Sequence, residues 1–268
     1  MAPIRFPRLL LTGAAGGLGR VLRPRLKVHC RTLRVSDRVD LGPAEPGEEV
    51  VVAALEDRAA VLALLKDVDA VVHLGGISVE AAFDPILQAN IVGVFNLYEA
   101  ARKQGVRRVV LASSNHVTGF YRQDERIDAQ APVRPDTLYG VSKAFGENLA
   151  RLFHDRHGIE TVCLRIGSCL PEPIDRRTLA SWLSHDDLER LVVASVSAPR
   201  VGHCVVYGVS DNPLTWWHNP GAASIGYRPQ DSSERFRAAL EARQPQPDLE
   251  DPVSVYQGGA FVRLGPYD

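Results

Sequence analysis

From Arg8 to Arg165 the chain alternates short runs that are apolar on both parities with longer stretches whose apolar positions recur every three or four residues. A strand covered by helices on both faces needs such two-sided apolar character, so the pattern predicts a parallel sheet flanked by helices. The predicted strands are Leu9–Thr12, Leu33–Val35, Glu49–Ala53, Ala70–Leu74, Arg108–Ala112 and Thr161–Arg165. Helical segments fall between them at Gly17–Leu26, Arg58–Lys66, Pro85–Gln104 and Tyr139–His157. Pro24 lies inside the first helix, where it removes one backbone hydrogen bond and crowds the carbonyl four residues back; a kinked or shortened helix is expected.

After Arg165 the rhythm changes to Pro-punctuated loops, a helix at Asp186–Ala194, a strand at Val205–Gly208 and a Pro-rich tail. The expectation is an α/β, Rossmann-type doubly wound parallel sheet over residues 1–165, carrying the cofactor and the catalytic groups. A smaller substrate-binding and oligomerisation region, 166–268, is integrated with it. The tail from Val253 to Leu264 mixes Val255, Tyr256, Phe261 and Val262 with glycines, and reads equally as a contact in a homo-oligomer or as packing onto its own lobe.

Charge and cysteine usage narrow the function classes. Lys and Arg number 31 against 32 Asp and Glu, a formal net charge of −1, so the basic excess that attracts nucleic acid is missing. No apolar run approaches the roughly 20 residues needed to span a bilayer, which predicts no membrane partner. Cys30, Cys163, Cys169 and Cys204 form no C-x-x-C pair and are too sparse for a disulfide scaffold, so a cytoplasmic setting is expected. The histidines show no metal-ligand spacing, and no metal is expected.

Thr12-Gly13-Ala14-Ala15-Gly16-Gly17-Leu18-Gly19 follows the first predicted strand and opens the first predicted helix. Gly13 permits a tight turn, Gly16 lets backbone approach a pyrophosphate, and Gly19 lets helix and strand pack closely, with the helix N-terminus facing the phosphates. Asp37 ends the second predicted strand, where an acid bonds adenosine ribose hydroxyls. Its carboxylate would repel a 2′-phosphate, which favours NAD over NADP, although Arg38 stands next to it.

Tyr139-Gly140-Val141-Ser142-Lys143 places a tyrosine and a lysine on one face of a helix. A phenol titrating at about 10 becomes a base near neutrality only after a fall of roughly 3 units, or about 4 kcal/mol, and a neighbouring ammonium acts in that direction. Ser114 ends the fifth predicted strand, at the sheet edge where such folds hold ligands, and is placed to hold the oxygen whose proton Tyr139 removes. Asn115 and His116 follow, placed to support the reacting groups or to donate to the substrate, with a structural histidine equally in keeping with the sequence.

With these motifs the chain resembles the extended short-chain dehydrogenases/reductases, and Gln88 to Leu97 matches the central helix of that group. Narrower stretches resemble the uronate dehydrogenase family: His73 to Glu80, Ser113 to His116, Arg165 to Cys169 with Pro171-Glu172-Pro173, Ser181 to Asp187, and Gln257 to Phe261. The likeness runs from about Arg8 to Phe261. It implies oxidation of a hexuronic acid, D-galacturonate or D-glucuronate, at C1 by NAD⁺ to an aldarolactone. The catalytic groups it implies are Ser114, Tyr139 and Lys143.

The cofactor set implied by the resemblance is Gly13, Gly16, Gly17, Leu18, Gly19, Asp37, Leu55, Leu74, Gly75, Asn90, Tyr139 and Lys143, with Asn90 on the nicotinamide side or in a proton relay. Sugar-hydroxyl contacts fall to Ser78, Asn115, His116 and Ser168, with Ser114 and Tyr139 on the reacting oxygen. Arg177 matches the arginine that binds the uronate carboxylate, a task that suits a planar guanidinium. One departure is Ala54-Leu55, where the family usually has Asp-Leu with the acid on the adenine amine; weaker NAD binding, by about 1 kcal/mol, follows from the loss. Competing readings are a nucleotide-sugar epimerase or dehydratase of the same fold, and a non-catalytic NAD-sensing protein.

Overall fold

In the computed structural model, which describes residues 6–244 and 246–265, the apolar runs register as one seven-stranded sheet, parallel throughout. The strands are β1 Phe6–Thr12, β2 Cys30–Asp37, β3 Glu48–Val52, β4 Ala70–His73, β5 Arg108–Ser114 and β6 Glu160–Ile166. A two-residue parallel pair, β7 Ser168–Cys169 and β8 Trp182–Leu183, precedes β9 His203–Gly208. The spatial order is β3-β2-β1-β4-β5-β6-β9, growing outward from β1 on both sides. The crevice of such a sheet opens between the C-terminal ends of β1 and β4, where the winding reverses.

The two-sided strands have a direct packing reason. Leu9 and Leu11 join Leu22, Leu26, Val72 and Leu191 on one face, while Leu10 joins Val61, Val71, Leu97 and Leu149 on the other. The covering helices are α1 Gly17–Leu26, α2 Arg58–Leu64, α3 Phe83–Ile86, α4 Gly93–Gln104, α5 Leu138–His157, α6 Arg176–Ser181 and α7 His185–Ser197. The shorter α8 Pro220–Ser224, α9 Glu234–Arg243 and α10 Pro252–Val255 follow.

Several expectations shift. β1, β2, β5 and β6 run one to three residues beyond their apolar centres, because ladder pairing continues through polar ends such as Ser36 and Ser114, whereas β3 and β4 each end one residue short of expectation, at Val52 and His73. α3 starts at Phe83, with Pro85 in its first turn where a missing N–H is tolerated, and a π turn at Leu87–Val92 joins it to α4. α1 runs through Pro24 and ends two residues later at Leu26, in a 3₁₀ turn. Arg20, whose carbonyl loses its helical partner, is exposed to water.

Residues beyond 165 are not a separate body. β9 pairs with β6 along Thr161 to Ile166, and Leu188, Leu191 and Val192 of α7 enter the core beneath β1. A third cluster, Ile127, Ala180, Tyr207, Val209, Trp216 and Trp217, supports the substrate side. The tail folds onto its own chain: Gln257 is buried, its Oε1 accepting from Trp217 Nε1 and its Nε2 donating to the Arg122 and Glu125 carbonyls. Among the described residues no helix is long and apolar enough to cross a membrane, and no cluster of His, Cys, Asp and Glu is placed to hold a metal.

Candidate active site

A cleft of about 1490 Å³ opens at the C-terminal edge of the sheet, lined at one end by the glycine loop and at the other by Tyr139, Arg177 and Phe261. Gly13 has φ +71°, and a Cβ there would stand 2.7 Å from the Gly75 nitrogen. A Cβ on Gly19 would stand 2.1 Å from the Gly13 carbonyl oxygen, so the loop closes onto α1 and onto Leu74-Gly75 only with these two glycines. α1 begins after Gly16 with no side-chain cap and no acid in its first turn, which leaves its first N–H groups for an anion. Space is open in front of Gly17. This cradle fits a dinucleotide pyrophosphate. Asp37 Oδ2 accepts from the Ala15 N–H at 3.0 Å and Oδ1 from the Arg38 N–H at 2.7 Å; each oxygen keeps a lone pair for ribose hydroxyls at the cleft wall.

α5 presents Tyr139 in its first turn. Thr137 caps the helix by accepting from the Gly140 N–H, and the Glu80 carboxylate accepts from the Leu138 and Tyr139 N–H groups at 3.2 and 2.8 Å. The Tyr139 hydroxyl faces Ser114 in the cleft. Burial pushes this phenol up to about 12, the Ser114 hydroxyl pulls it down, and the Asp136 charge adds to the rise. One turn on, Lys143 Nζ donates to the Ala112 carbonyl at 2.9 Å and lies 5.5 Å from the Tyr139 ring centre, with burial pushing it down to about 8.

α6 begins with a reciprocal cap between Asp175 and Thr178, which sets Arg177 in its first turn facing the cleft. Arg177 Nε donates to the Gln257 carbonyl at 2.8 Å and Nη1 to Ser168 Oγ at 3.3 Å. Asn115, its amide oriented as both neighbours require, donates to the Ile166 carbonyl at 3.0 Å and accepts from Arg177 Nη2 at 3.1 Å. No ion pair to Arg177 occurs among the described residues, and burial lowers its pKa while Asp175 and Asp136 act on it only through space. His116 stands edge-on to Tyr139 and stacked on Phe261 with ring centres 3.8 Å apart.

The cleft therefore gathers Ser78, Ser114, Asn115, His116, Tyr139, Lys143, Ser168 and Arg177 with the glycine loop, Asp37, Leu55, Leu74 and Gly75. Asn90 is the exception. It is 2% exposed and does not line the cleft; its Oδ1 accepts from the Ile77 N–H, and its Nδ2 donates to the Ile77 carbonyl and Ser142 Oγ. Within the π turn, its amide ties the backbone at Ile77, next to Ser78, to Ser142 of α5. Ala54 does not line the cleft either, whereas Leu55 and Glu56 do.

The model of the NAD dependent epimerase/dehydratase family matches residues 9–193. A uronate dehydrogenase from Pseudomonas putida is 57% identical over the full length of both chains. The chain belongs to the uronate dehydrogenases of that family. Among solved structures, a glucuronic acid dehydrogenase from Chromohalobacter salexigens superposes with a TM-score of 0.95 at 51% identity, covering 97% of this chain and 98% of the other. A tyrosine-to-alanine mutant of uronate dehydrogenase from Agrobacterium tumefaciens, complexed with NAD, gives 0.94 at 50% identity over the same shares.

Members of this family are NAD-dependent oxidoreductases, and three groups that hold residues of the site in place were not legible in that role from sequence: Glu80, Asp136 and Gln257. Each acts on a site residue through a hydrogen bond across the fold. Behind the cleft lining, His73 is 1% exposed at the end of β4, with Nδ1 bonded to Thr12 Oγ1 at 2.7 Å and Nε2 without a partner. Burial, with the Lys143 ammonium adding to it, holds this imidazole at about 3 against 6.5 in the unfolded chain. The unfolded state therefore takes up the proton first. Its contribution to stability is complete above pH 6.5 and declines as pH falls toward 3. At pH 5, 1.5 units below the unfolded value, about 2 kcal/mol is lost. Denaturant titrations at pH 7 and 5 are expected to show that loss shrinking in His73→Asn; an equal loss in both proteins refutes the assignment.

Proposed function

We propose that this uronate dehydrogenase oxidises D-galacturonate or D-glucuronate at C1, giving the aldarolactone and NADH. The observation that carries the reading is Arg177: its guanidinium meets three neutral acceptors and no carboxylate, in the cleft that also holds the Tyr139 hydroxyl. A neutral sugar leaves this desolvated charge unpaired, whereas the carboxylate of a uronate meets it with charge-assisted hydrogen bonds. The cleft also exceeds the roughly 300–1,000 Å³ of a single small-ligand site, in keeping with a dinucleotide beside a monosaccharide.

Bound NAD⁺ supplies the hydride acceptor and a further positive charge near the phenol. The glycine loop and the α1 N-terminus hold its pyrophosphate, and Asp37 its adenosine ribose. Tyr139 Oη takes the proton of the C1 hydroxyl while Ser114 Oγ bonds the same oxygen. Lys143 carries its ammonium beside the phenol, opposing the rise that burial imposes, and reaches the nicotinamide ribose hydroxyls. Asn115, His116, Ser168 and Ser78 meet the sugar hydroxyls, and Phe261 covers the site from the tail.

The test is NADH absorbance from purified protein with NAD⁺ and each uronate, with D-galactose, a UDP-sugar and NADP⁺ as controls. Uronate-dependent reduction absent with galactose is expected; turnover of the UDP-sugar alone sends the site to the epimerase reading. Self-association is part of the proposal. Phe95 on α4 and Val141 and Leu152 on α5 are 41, 49 and 47% exposed, an apolar face suited to a second copy of the chain. Light scattering is expected to give a multiple of the chain mass, reduced to the monomer by Val141→Glu with Leu152→Glu.

A further inference from the structure

The segment that most constrains the substrate side is not a substrate contact. Asp136, just before α5, has a fully buried carboxylate whose Oδ2 lies 2.7 Å from His116 Nδ1 and whose Oδ1 accepts from Thr137 Oγ1 at 2.9 Å. The chain makes room for it from two sides. A Cβ on Gly119 would fall 1.8 Å from Asp136 Oδ2, and one on Gly258 of the tail 2.1 Å from the same atom. The Gly258 N–H donates to the Gly119 carbonyl at 2.8 Å, closing the tail over the carboxylate.

The imidazole it touches is held on its remaining sides. Phe261 stacks on one face at 3.8 Å and 20°, and the Tyr139 ring stands at its edge at 5.9 Å. A carboxylate only accepts, so the bonded Nδ1 carries the hydrogen and Nε2 of the neutral ring carries a lone pair. Nε2 is the one polar atom of His116 left without a protein partner among the described residues, and His116 lines the cleft.

We propose that Asp136 is a positioning residue of the uronate reaction, fixing His116 in the tautomer whose Nε2 accepts a hydrogen bond from a ring hydroxyl of the sugar. This deepens the uronate reading and rests on it for the identity of the donor. The tautomer itself belongs to the resting protein. The two orientations of a hydroxyl differ in whether they reach an acceptor at that point, so the carboxylate contributes to discrimination between sugars without touching one.

Two measurements test it. The first is the ¹⁵N spectrum of histidine-labelled protein without substrate, with His116 assigned by its disappearance in His116→Phe. The expected result is a protonated Nδ1 and an unprotonated Nε2 in the parent, and averaged nitrogens in Asp136→Ala. An unprotonated Nδ1 or a protonated Nε2 in the parent overturns the proposal, whatever the protein oxidises. The second is a double-mutant cycle with galacturonate and NAD⁺. Asp136→Ala is expected to raise KM for the uronate about tenfold or more with kcat changed less than about threefold, and to change KM less than about twofold in the His116→Phe background. Equal losses in both backgrounds overturn it, because a purely structural role does not depend on the imidazole. Uronate inactivity of the parent itself sinks the functional reading and leaves the tautomer result standing.

Discussion

Tyr139→Phe is expected to lower kcat with a uronate by about 10³-fold or more while leaving the calorimetric Kd for NAD within about twofold. The substitution removes one oxygen. The ring keeps its edge contact with His116 and its place over Lys143, and the glycine loop that grips the dinucleotide lies at the other end of the cleft. What disappears is the proton acceptor that faces Ser114. The pH dependence has a definite sign. The ionised phenol is the active form and burial raises its pKa, to about 12 in the free protein, so turnover falls on the acid side as the phenol holds its proton. The Lys143 ammonium opposes that rise, so Lys143→Met moves the acid limb of the kcat profile to higher pH. A Tyr139→Phe protein retaining a tenth of the parent kcat excludes the phenol as the base.

The parts of this molecule that sequence discloses are those whose physics is local. Leu9, Leu10 and Leu11 announce a strand buried on both faces because each residue meets its own layer of helices. Gly13, Gly19 and Asp37 announce the cradle because strand, turn, helix and second strand follow one another within 30 residues. Tyr139 and Lys143 share a helix face for the same reason. Contacts closed by distant chain were hidden. Nothing in Asn90 tells that its amide reaches back 13 residues to Ile77, or in Glu80 that it caps a helix 58 residues on. Gln257 gives no local sign of the carbonyl that aligns Arg177 across 80 residues. The tail was the clearest ambiguity, since a mixed apolar and glycine stretch fits an interface or an intrachain lid equally. Gly258 packs against Asp136 of its own chain, a partner visible only in three dimensions.

Arg177→Ala is the second large effect, and it differs in kind from the loss of Tyr139. Truncation leaves the uronate carboxylate desolvated without its cation, an imbalance of about 3 kcal/mol, or roughly 150-fold in kcat/KM, carried mainly by KM. Galactose, which has no carboxylate, is expected to lose little, so the preference for the charged sugar collapses from one side. Arg177→Lys separates charge from shape. The ammonium restores a point charge but cannot hold the Gln257 carbonyl, Ser168 and Asn115 with one planar group. Recovery of a minor part of the affinity is therefore expected from lysine. Added guanidinium is expected to rescue the alanine variant toward uronates alone, because only those substrates bring the anion it pairs with. If galacturonate and galactose lose kcat/KM equally in Arg177→Ala, Arg177 is not the carboxylate site, and its three neutral acceptors hold it for packing instead.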